Sequence, residues 1–254
     1  MNASIYDVFC NNAADKPASG NPCAVVVLEH WLSDAELLAM AQQLAQPVTS
    51  FVVSNTDGHF VRWFTVVAEI NLCGHGSLAA GAALLSRFQR NEVLLQSSHG
   101  NVVITEQTGC YQIRLPTWQA QPCSITPFLK ALGLAPVDVF STRDLVVVLG
   151  SGQAVRDFQP DLALIEQMND FHALILTAQS AAGEYVLRYF TPKSGIAEDV
   201  ATGSAQCSLA PYWFDKLGKT SLQAHQLSSA GGFFKIEKES AEAILIRALV
   251  KERV

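Results

Sequence analysis

The sequence predicts an α+β fold of two pseudo-repeated domains, each a sheet around one central helix. Two observations predict it. The segment VRWFT at residues 61–65 recurs as LRYFT at residues 187–191, and each copy is soon followed by a glycine, a small polar residue and a helix-forming stretch. Those stretches, starting at Leu78 and Gln206, are apolar nearly all round, as expected for a helix enclosed by sheet. The chain therefore looks duplicated.

The strands are predicted from short β-branched runs separated by turn residues. They lie at residues 24–28, 50–53, 101–104, 145–149 and 174–176. A helix is predicted to follow Ser33, because Ser33 and Glu36 form a capping-box pattern before an apolar stretch. The segment 146–152 resembles the start of a dinucleotide fingerprint, but Val155 stands at the third glycine position. We interpret it as a strand followed by a turn.

The domain boundary is predicted in the proline-containing segment from Pro116 to Pro127. The first domain is predicted to span residues 1–117 and the second residues 118–242. The last strand, at about residues 243–254, is a candidate to join the first domain.

The composition favours a globular protein that acts on small molecules. A content of 49% hydrophobic and 16% charged residues over 254 residues allows a substantial core. The net charge of -6 comes without basic clusters, which disfavours nucleic acid as a partner. Neither a secretion signal nor a membrane span is recognised, so we expect a cytoplasmic protein. The six scattered cysteines predict reduced thiols rather than a disulfide framework or a zinc site.

The stretch LCGHGS at residues 72–77 is the first candidate for chemistry. If a helix begins here, its free N–H groups and positive dipole end would face a cleft shared by the domains and hold an anionic substrate, most simply a carboxylate. Cys73 could supply a thiolate, or be a small buried hydrophobe. His75 could be a catalyst, or a hydrogen-bonded structural residue. The whole turn could equally be a simple helix start.

The second candidate lies before the second central helix. Asp199 could act as an acid or base there, or only cap the helix. Thr202, Gly203 and Ser204 follow it and repeat the pattern of a glycine with small polar residues.

Seven motifs together identify a family. They are YDVF (6–9), GNPCAVV (20–26), RWFT (62–65), CGHGS (73–77), RYFTPK (188–193), GIAED (195–199) and TGSA (202–205). On these motifs the chain resembles the PhzF family of phenazine biosynthesis-like isomerases. The resemblance implies the diaminopimelate epimerase-like fold, with two domains that are each a barrel-like, mostly antiparallel sheet around a central helix. It also implies a homodimer, no metal or organic cofactor, and movement of a proton at a carbon beside a carboxylate.

The resemblance also assigns site residues by position. Gly74, His75, Asp199, Gly203 and Ser204 match the family's substrate-contacting and proton-handling residues. With the turns above, the predicted catalytic residues are Cys73, His75, Asp199 and Ser204. The predicted substrate-binding residues are Gly74, Gly76, Ser77, Thr202 and Gly203.

One departure from the family pattern affects the expected chemistry. The family motif around its main acid/base glutamate reads Ser-Glu-Thr-x-Phe, and here residues 47–51 read PVTSF. Val48 stands at the glutamate position and cannot exchange a proton, and loss of such a base typically costs about 10²–10⁴-fold in rate. Val66, where a proline usually follows, and Ala230, where many members carry an arginine, are weaker departures.

Three readings of the function therefore compete. The chain could be an isomerase in which Cys73, His75 and Asp199 handle protons. A symmetric two-thiol racemase is not supported, because Val200 stands beside Asp199 where a second thiol would be needed. The chain could instead be a carboxylate-binding pseudoenzyme, or a protein in which only the dimer matters.

Overall fold

The computed structural model describes residues 3–253. The chain divides into two compact units, one formed by Met1–Arg114 with Leu245–Val254 and the other by Leu115–Ile244. The first unit thus combines the N-terminal half of the chain with its last segment.

Within the described residues the chain forms sixteen strands and six α-helices. The strands are β1 (Ala3–Cys10), β2 (Asn21–Leu28), β3 (Val48–Asn55), β4 (Gly58–Phe64), β5 (Glu69–Ile70), β6 (Glu92–Ser97), β7 (Gly100–Gln107), β8 (Cys110–Pro116), β9 (Gln121–Pro122), β10 (Asp138–Ser141), β11 (Leu145–Val148), β12 (Leu174–Ala181), β13 (Glu184–Phe190), β14 (Ser221–Gln226), β15 (Gly232–Lys238) and β16 (Ala243–Glu252). The helices are α1 (Asp34–Leu44), α2 (Gly74–Phe88), α3 (Thr126–Ala131), α4 (Gly152–Asp157), α5 (Leu162–Glu166) and α6 (Gln206–Leu217). None of these helices is long and apolar enough to cross a bilayer.

The first unit is a closed barrel around α2. Its strand order is β1-β2-β3-β4-β6-β7-β8-β16, and β1 also pairs with β16, which closes the ring. Helix α2 packs against β1, β2, β3, β4, β6 and β7, and most of its residues are buried. A helix with no solvent-facing side needs apolar residues on every side. The predicted sheet around a central helix is therefore confirmed here.

The second unit also places a sheet around one central helix, α6. Its strands run in the order β15-β14-β13-β12-β11-β10-β9. Helix α6 packs on β14 and β15, and Trp213 on its buried face donates a hydrogen bond to Thr177 of β12 at 3.1 Å. Most pairings in both units are antiparallel, and the parallel ones are β2–β3, β4–β6, β11–β12 and β13–β14. The predicted fold class is confirmed.

The duplicated segments occupy matching strands. VRWFT lies at the end of β4 and LRYFT at the end of β13. Phe64 pairs with Thr49 on β3, and Phe190 pairs with Leu174 on β12. The two copies therefore share their place in the sheet as well as their sequence.

Two local predictions have different outcomes. The capping box of α1 is confirmed, because the Ser33 hydroxyl accepts from the Glu36 N–H while the Glu36 carboxylate accepts from the Ser33 N–H. The prediction of only a turn after β11 is incomplete, because a short helix begins there. The Ser151 hydroxyl accepts from the Ala154 N–H at 3.1 Å and starts the short helix α4. Val155, at the would-be third glycine, is instead a buried core residue.

Candidate active site

The first candidate turn forms the N-terminus of α2. Cys73 is the N-cap residue, in an extended conformation, and its sulfur accepts a hydrogen bond from the Gly76 N–H at 3.3 Å. The same sulfur lies 3.3 Å from Nδ1 of His75. Both side chains are buried within the first unit. The structure therefore brings the predicted thiol and imidazole into direct contact at the start of a helix.

The neighbouring residues of this turn make contacts inside the unit. Gly74 is the first residue of α2. A Cβ on Gly76 would lie 2.8 Å from both Ser50 Oγ and Trp63 Cδ1, so a side chain has no room there. The Ser77 hydroxyl is entirely buried and donates to the Cys73 carbonyl at 2.7 Å. Substrate contacts by Gly74, Gly76 and Ser77 remain a prediction.

The residues beneath this helix start are uncharged, and the sequence analysis gave none of them a role at the site. Ser50 Oγ donates to the Gly76 carbonyl at 2.9 Å and lies 3.4 Å from the Cys23 sulfur. Burial raises the pKa of Cys23 to about 12, so this thiol is neutral at physiological pH. Thr49 Oγ1 and Trp63 Nε1 are buried and have no hydrogen-bond partner within residues 3–253. Trp63 lies in the repeated segment, Cys23 in the GNPCAVV motif and Ser50 in the PVTSF segment, but none of these signals shows that the three side chains meet under α2.

Val48, at the position where the family resemblance expects a glutamate, is the first residue of β3. It is 4% exposed and pairs with Cys23 of the neighbouring strand. Its surroundings are those of a buried apolar residue, because the strand from Val48 to Val53 is buried throughout.

The second candidate turn holds Asp199 by its backbone and its side chain. The Asp199 N–H donates to the Tyr189 carbonyl at 2.9 Å, and the Thr202 hydroxyl donates to Asp199 Oδ2 at 2.6 Å. Gln226, which the sequence analysis missed, donates to the Asp199 carbonyl and accepts from the Thr202 N–H, both at 2.7 Å. The N-cap positions belong to Thr202 and Ala205. The half-buried carboxylate of Asp199 is thus fixed in place beside the helix start.

Gly203 and Ser204 lie in a single 3₁₀ turn, Gly203–Ala205, which leads directly into α6. Gly203 is buried and Ser204 is half-buried. Ser204 Oγ lies 3.5 Å from Nη2 of Arg143, a long contact for a hydrogen bond.

Arg143 belongs to a charged group that no local signal predicted. Its guanidinium donates to Asp144 through Nε and Nη2, at 3.3 and 3.2 Å, and to the Tyr189 hydroxyl at 3.1 Å. It also stacks on Trp118, with 4.7 Å from the guanidinium carbon to the ring centre. The Tyr189 hydroxyl donates in turn to Asp144. Burial, with a further contribution from Asp144, raises the pKa of Tyr189 well above its usual value, so this phenol remains a donor.

The predicted residues thus form two groups, one in each unit. Cys73, His75 and their neighbours lie in the first unit, and Asp199, Thr202, Gly203 and Ser204 lie in the second. Within residues 3–253 no cluster of three or more His, Cys, Asp or Glu side chains is placed to hold a metal ion.

Comparison with known proteins gives consistent matches over nearly the whole chain. The family described as phenazine biosynthesis-like protein matches residues 6–243. An uncharacterized isomerase of Vibrio cholerae is 52% identical over 98% of this chain and 88% of its own length, and one of Pseudomonas aeruginosa is 34% identical over 96% and 95%. The crystal structure of a PhzF-family phenazine biosynthesis protein from Enterococcus faecalis superimposes with a TM-score of 0.88 at 32% identity, over 100% of this chain and 98% of that one. The resemblance seen in the motifs is confirmed.

Proposed function

We propose, from the premise that the chain belongs to the phenazine biosynthesis-like (PhzF) family, that it is an isomerase or epimerase of a small carboxylate metabolite. The reaction moves a proton at a carbon near the carboxylate and uses no metal or organic cofactor. The observation that carries the proposal is the 3.3 Å contact between the Cys73 sulfur and His75 Nδ1 at the start of α2. Homodimer formation and a cytoplasmic location remain predictions.

The Cys73–His75 contact suits proton transfer for two reasons. A thiol beside an imidazole can pass its proton to the ring nitrogen, which is how cysteine bases and nucleophiles are activated. The positive end of the α2 dipole and the Gly76 N–H both favour negative charge on the sulfur. The pair can therefore accept a proton from carbon and return it, while His75 exchanges protons with the sulfur.

Asp199 is the second proposed proton-handling group. Its carboxylate is half-buried and its orientation is fixed by Thr202. A carboxylate held in one orientation loses little entropy when it meets a substrate, which favours general acid–base catalysis. Gly203 and Ser204 supply backbone N–H groups and a hydroxyl for substrate binding beside it.

The alternative is a carboxylate-binding protein of the same fold without turnover. What favours it is the burial of Val48, an apolar side chain at the position where the family resemblance predicts the main acid/base glutamate. In this reading an anion binds at a helix start, but no group removes the proton from carbon.

Mass-spectrometric wash-in of solvent deuterium distinguishes the two functions. A panel of amino acids and dihydroaromatic carboxylates would be incubated with the native chain and with the Cys73→Ser, His75→Asn and Asp199→Asn variants. We expect exchange by the native chain and losses of about 10²–10⁴-fold in the variants. Cys110→Ser is the matched control, because Cys110 is a half-buried thiol on β8 far along the chain from the turn.

Absence of exchange across the panel would contradict the isomerase. If a carboxylate from the panel then raised the unfolding temperature of the native chain without being converted, the binding function would replace it. Equal exchange in the native chain and all three variants would instead remove these residues from the mechanism.

A further inference from the structure

We infer that Arg143 binds the substrate's carboxylate and thereby selects anionic substrates over neutral analogues of the same shape. The inference rests on the proposed function, since it takes a carboxylate metabolite as the substrate. It adds a residue that neither the motifs nor the helix starts contain.

Three neighbouring side chains fix the orientation of the Arg143 guanidinium. Asp144, Tyr189 and the ring of Trp118 hold Arg143 from three sides. A guanidinium fixed in this way has already lost most of its rotational freedom, so a ligand that binds to it does not have to order the side chain.

The two charges of the Arg143–Asp144 pair differ in their exposure to solvent. Asp144 is entirely buried, whereas the Arg143 side chain is 42% exposed. The ion pair therefore presents its positive member to solvent and keeps its negative member inside. His172 lies near the pair, and burial together with the charge of Arg143 lowers its pKa, so it adds no charge at neutral pH. Lys193 is a further cation in the surroundings of His172, and Asp199 is the nearby anion that acts on Tyr189.

One nitrogen of the Arg143 guanidinium keeps its donors available for a ligand. Nε and Nη2 make all the hydrogen bonds of the guanidinium to described residues, and Nη1 makes none within residues 3–253. Nη2 also reaches towards Ser204 Oγ at 3.5 Å. Nη1 can therefore donate a charge-assisted hydrogen bond to one oxygen of a carboxylate, while the Ser204 hydroxyl donates to the other oxygen.

Asp199 and Arg143 are linked through a single residue. The Tyr189 carbonyl accepts from the Asp199 N–H, and the Tyr189 hydroxyl accepts from Arg143. One strand thus fixes both the proposed acid/base group and the proposed carboxylate-binding group. A substrate carboxylate on Arg143 would place the adjoining carbon on the same side of the second unit as Asp199.

Binding measurements on charged and neutral probes test this inference. Benzoate, succinate and glutamate would each be compared with its amide by titration calorimetry, at low and high salt, on the native chain and on Arg143→Met, Arg143→Lys and Arg156→Met. We expect the native chain to prefer carboxylates. Arg143→Met should weaken carboxylate binding by about 10- to 100-fold, since a hydrogen bond to a charged group contributes that much, and should leave the amides unaffected. Arg156→Met, which removes an exposed arginine on α4, is the matched control.

Folding of the variants needs a safeguard, because Arg143→Met leaves Asp144 without its cation. Arg143→Lys keeps a positive partner but loses the planar fork, and should weaken carboxylate binding by several-fold. The double variant Arg143→Gln with Asp144→Asn removes both charges together and should bind carboxylates as weakly as Arg143→Met. Circular dichroism checks that each variant is folded.

Failure of this inference is distinguishable from failure of the proposed function. Equal carboxylate binding by the native chain and the folded variants would show that Arg143 only balances Asp144. Failure of the native chain to bind any carboxylate probe would overturn the inference as well. Carboxylate binding that depends on Arg143 but comes without deuterium exchange would support the inference and reject the isomerase. Deuterium exchange whose KM is the same in the native chain and in Arg143→Lys would support the isomerase and reject the inference.

Discussion

The arginines of the two repeated segments make nearly the same contacts, one in each unit. Arg62 of VRWFT donates to both oxygens of Glu69, and Arg188 of LRYFT donates to both oxygens of Glu198. Each guanidinium also lies over the phenylalanine two residues later, at 5.1 Å in the first unit and 4.8 Å in the second. The duplication therefore extends from the backbone to side-chain geometry.

The two units differ at the residue that follows each arginine. Trp63 in the first unit packs beneath α2 among uncharged groups such as Ser50 and Cys23. Tyr189 in the second unit is hydrogen-bonded to Arg143 and Asp144. The same scaffold thus supports a helix start by close packing in one half and by a buried charge in the other. The stability of the first unit should therefore respond most to substitutions that change side-chain volume, and the stability of the second unit to substitutions that change charge.

The largest effect is expected from removing the buried charge. Asp144→Ala leaves the Tyr189 hydroxyl and the Arg143 guanidinium without their shared acceptor. We expect the free energy of unfolding to fall by about 3 kcal/mol, below the full penalty for a broken buried pair because Arg143 is partly exposed. Urea unfolding followed by fluorescence measures the loss.

Two further variants are compared with Asp144→Ala. Asp215→Ala is the control, since Asp215 is an exposed aspartate whose ion pair with Lys238 spans 3.8 Å and should contribute less than about 1 kcal/mol. Cys23→Ala is the counterpart in the first unit. Ala24 of β2 and Leu145 of β11 occupy equivalent positions in their parallel strand pairs, so the residues before them, Cys23 and Asp144, are equivalent as well. A loss for Cys23→Ala as large as that for Asp144→Ala would contradict the division into a packed half and a charged half.

An intermediate effect is expected from adding volume beneath α2. Gly76→Ala places a Cβ 2.8 Å from both Ser50 Oγ and Trp63 Cδ1, so strand and helix must move apart. We expect a loss of about 2 kcal/mol in the free energy of unfolding, typical of an overpacked core. Thermal and urea unfolding measure it.

Gly150→Ala is the matched control for Gly76→Ala. The nearest atom to its added Cβ is Val137 Cγ2 at 3.7 Å, an ordinary contact. This variant should change stability by less than about 0.5 kcal/mol, as surface substitutions usually do. If Gly76→Ala were equally harmless, the helix start would be held by something other than close packing.

Local patterns in the sequence predicted the elements whose causes are local. The capping box at Ser33 and Glu36 depends on two residues three positions apart, and the repeat needs only the comparison of two short segments. The cysteine and histidine of the first turn meet because they are two residues apart at a helix start. In each case the residues that interact are neighbours in the chain.

The residues that sequence reasoning missed act over long separations. Gln226 holds Asp199 from 27 positions away, and Arg143 reaches Tyr189 from 46 positions away. Such contacts exist only after the sheet has formed, so neither residue stands out in its own segment. Ser77 shows a related limit, because the sequence supplies a hydroxyl but not its direction, and that hydroxyl donates into its own helix.

The smallest expected effect compares the two repeated arginines directly. Arg188 is 12% exposed, and besides Glu198 its Nη1 donates at 2.6 Å to the carbonyl of Phe158, the C-cap residue of α4. Arg62 is 24% exposed, and besides Glu69 it pairs with Asp34, which is almost fully exposed, and lies over the Trp31 ring at 5.7 Å. Lysine cannot make a paired contact with a carboxylate and bond a helix end at the same time. We expect Arg188→Lys to lower the free energy of unfolding by about 1–1.5 kcal/mol and Arg62→Lys by about 0.5 kcal/mol.

Urea unfolding of both variants, at low and high salt, checks this pair of values. Salt should weaken the native contribution of Arg62 more than that of Arg188, because exposed ion pairs are screened and buried ones are screened less. Equal losses and equal salt responses would mean that the Phe158 contact adds nothing to the ion pair. The two halves would then be interchangeable at the arginine, and their difference would begin only at the next residue, Trp63 or Tyr189.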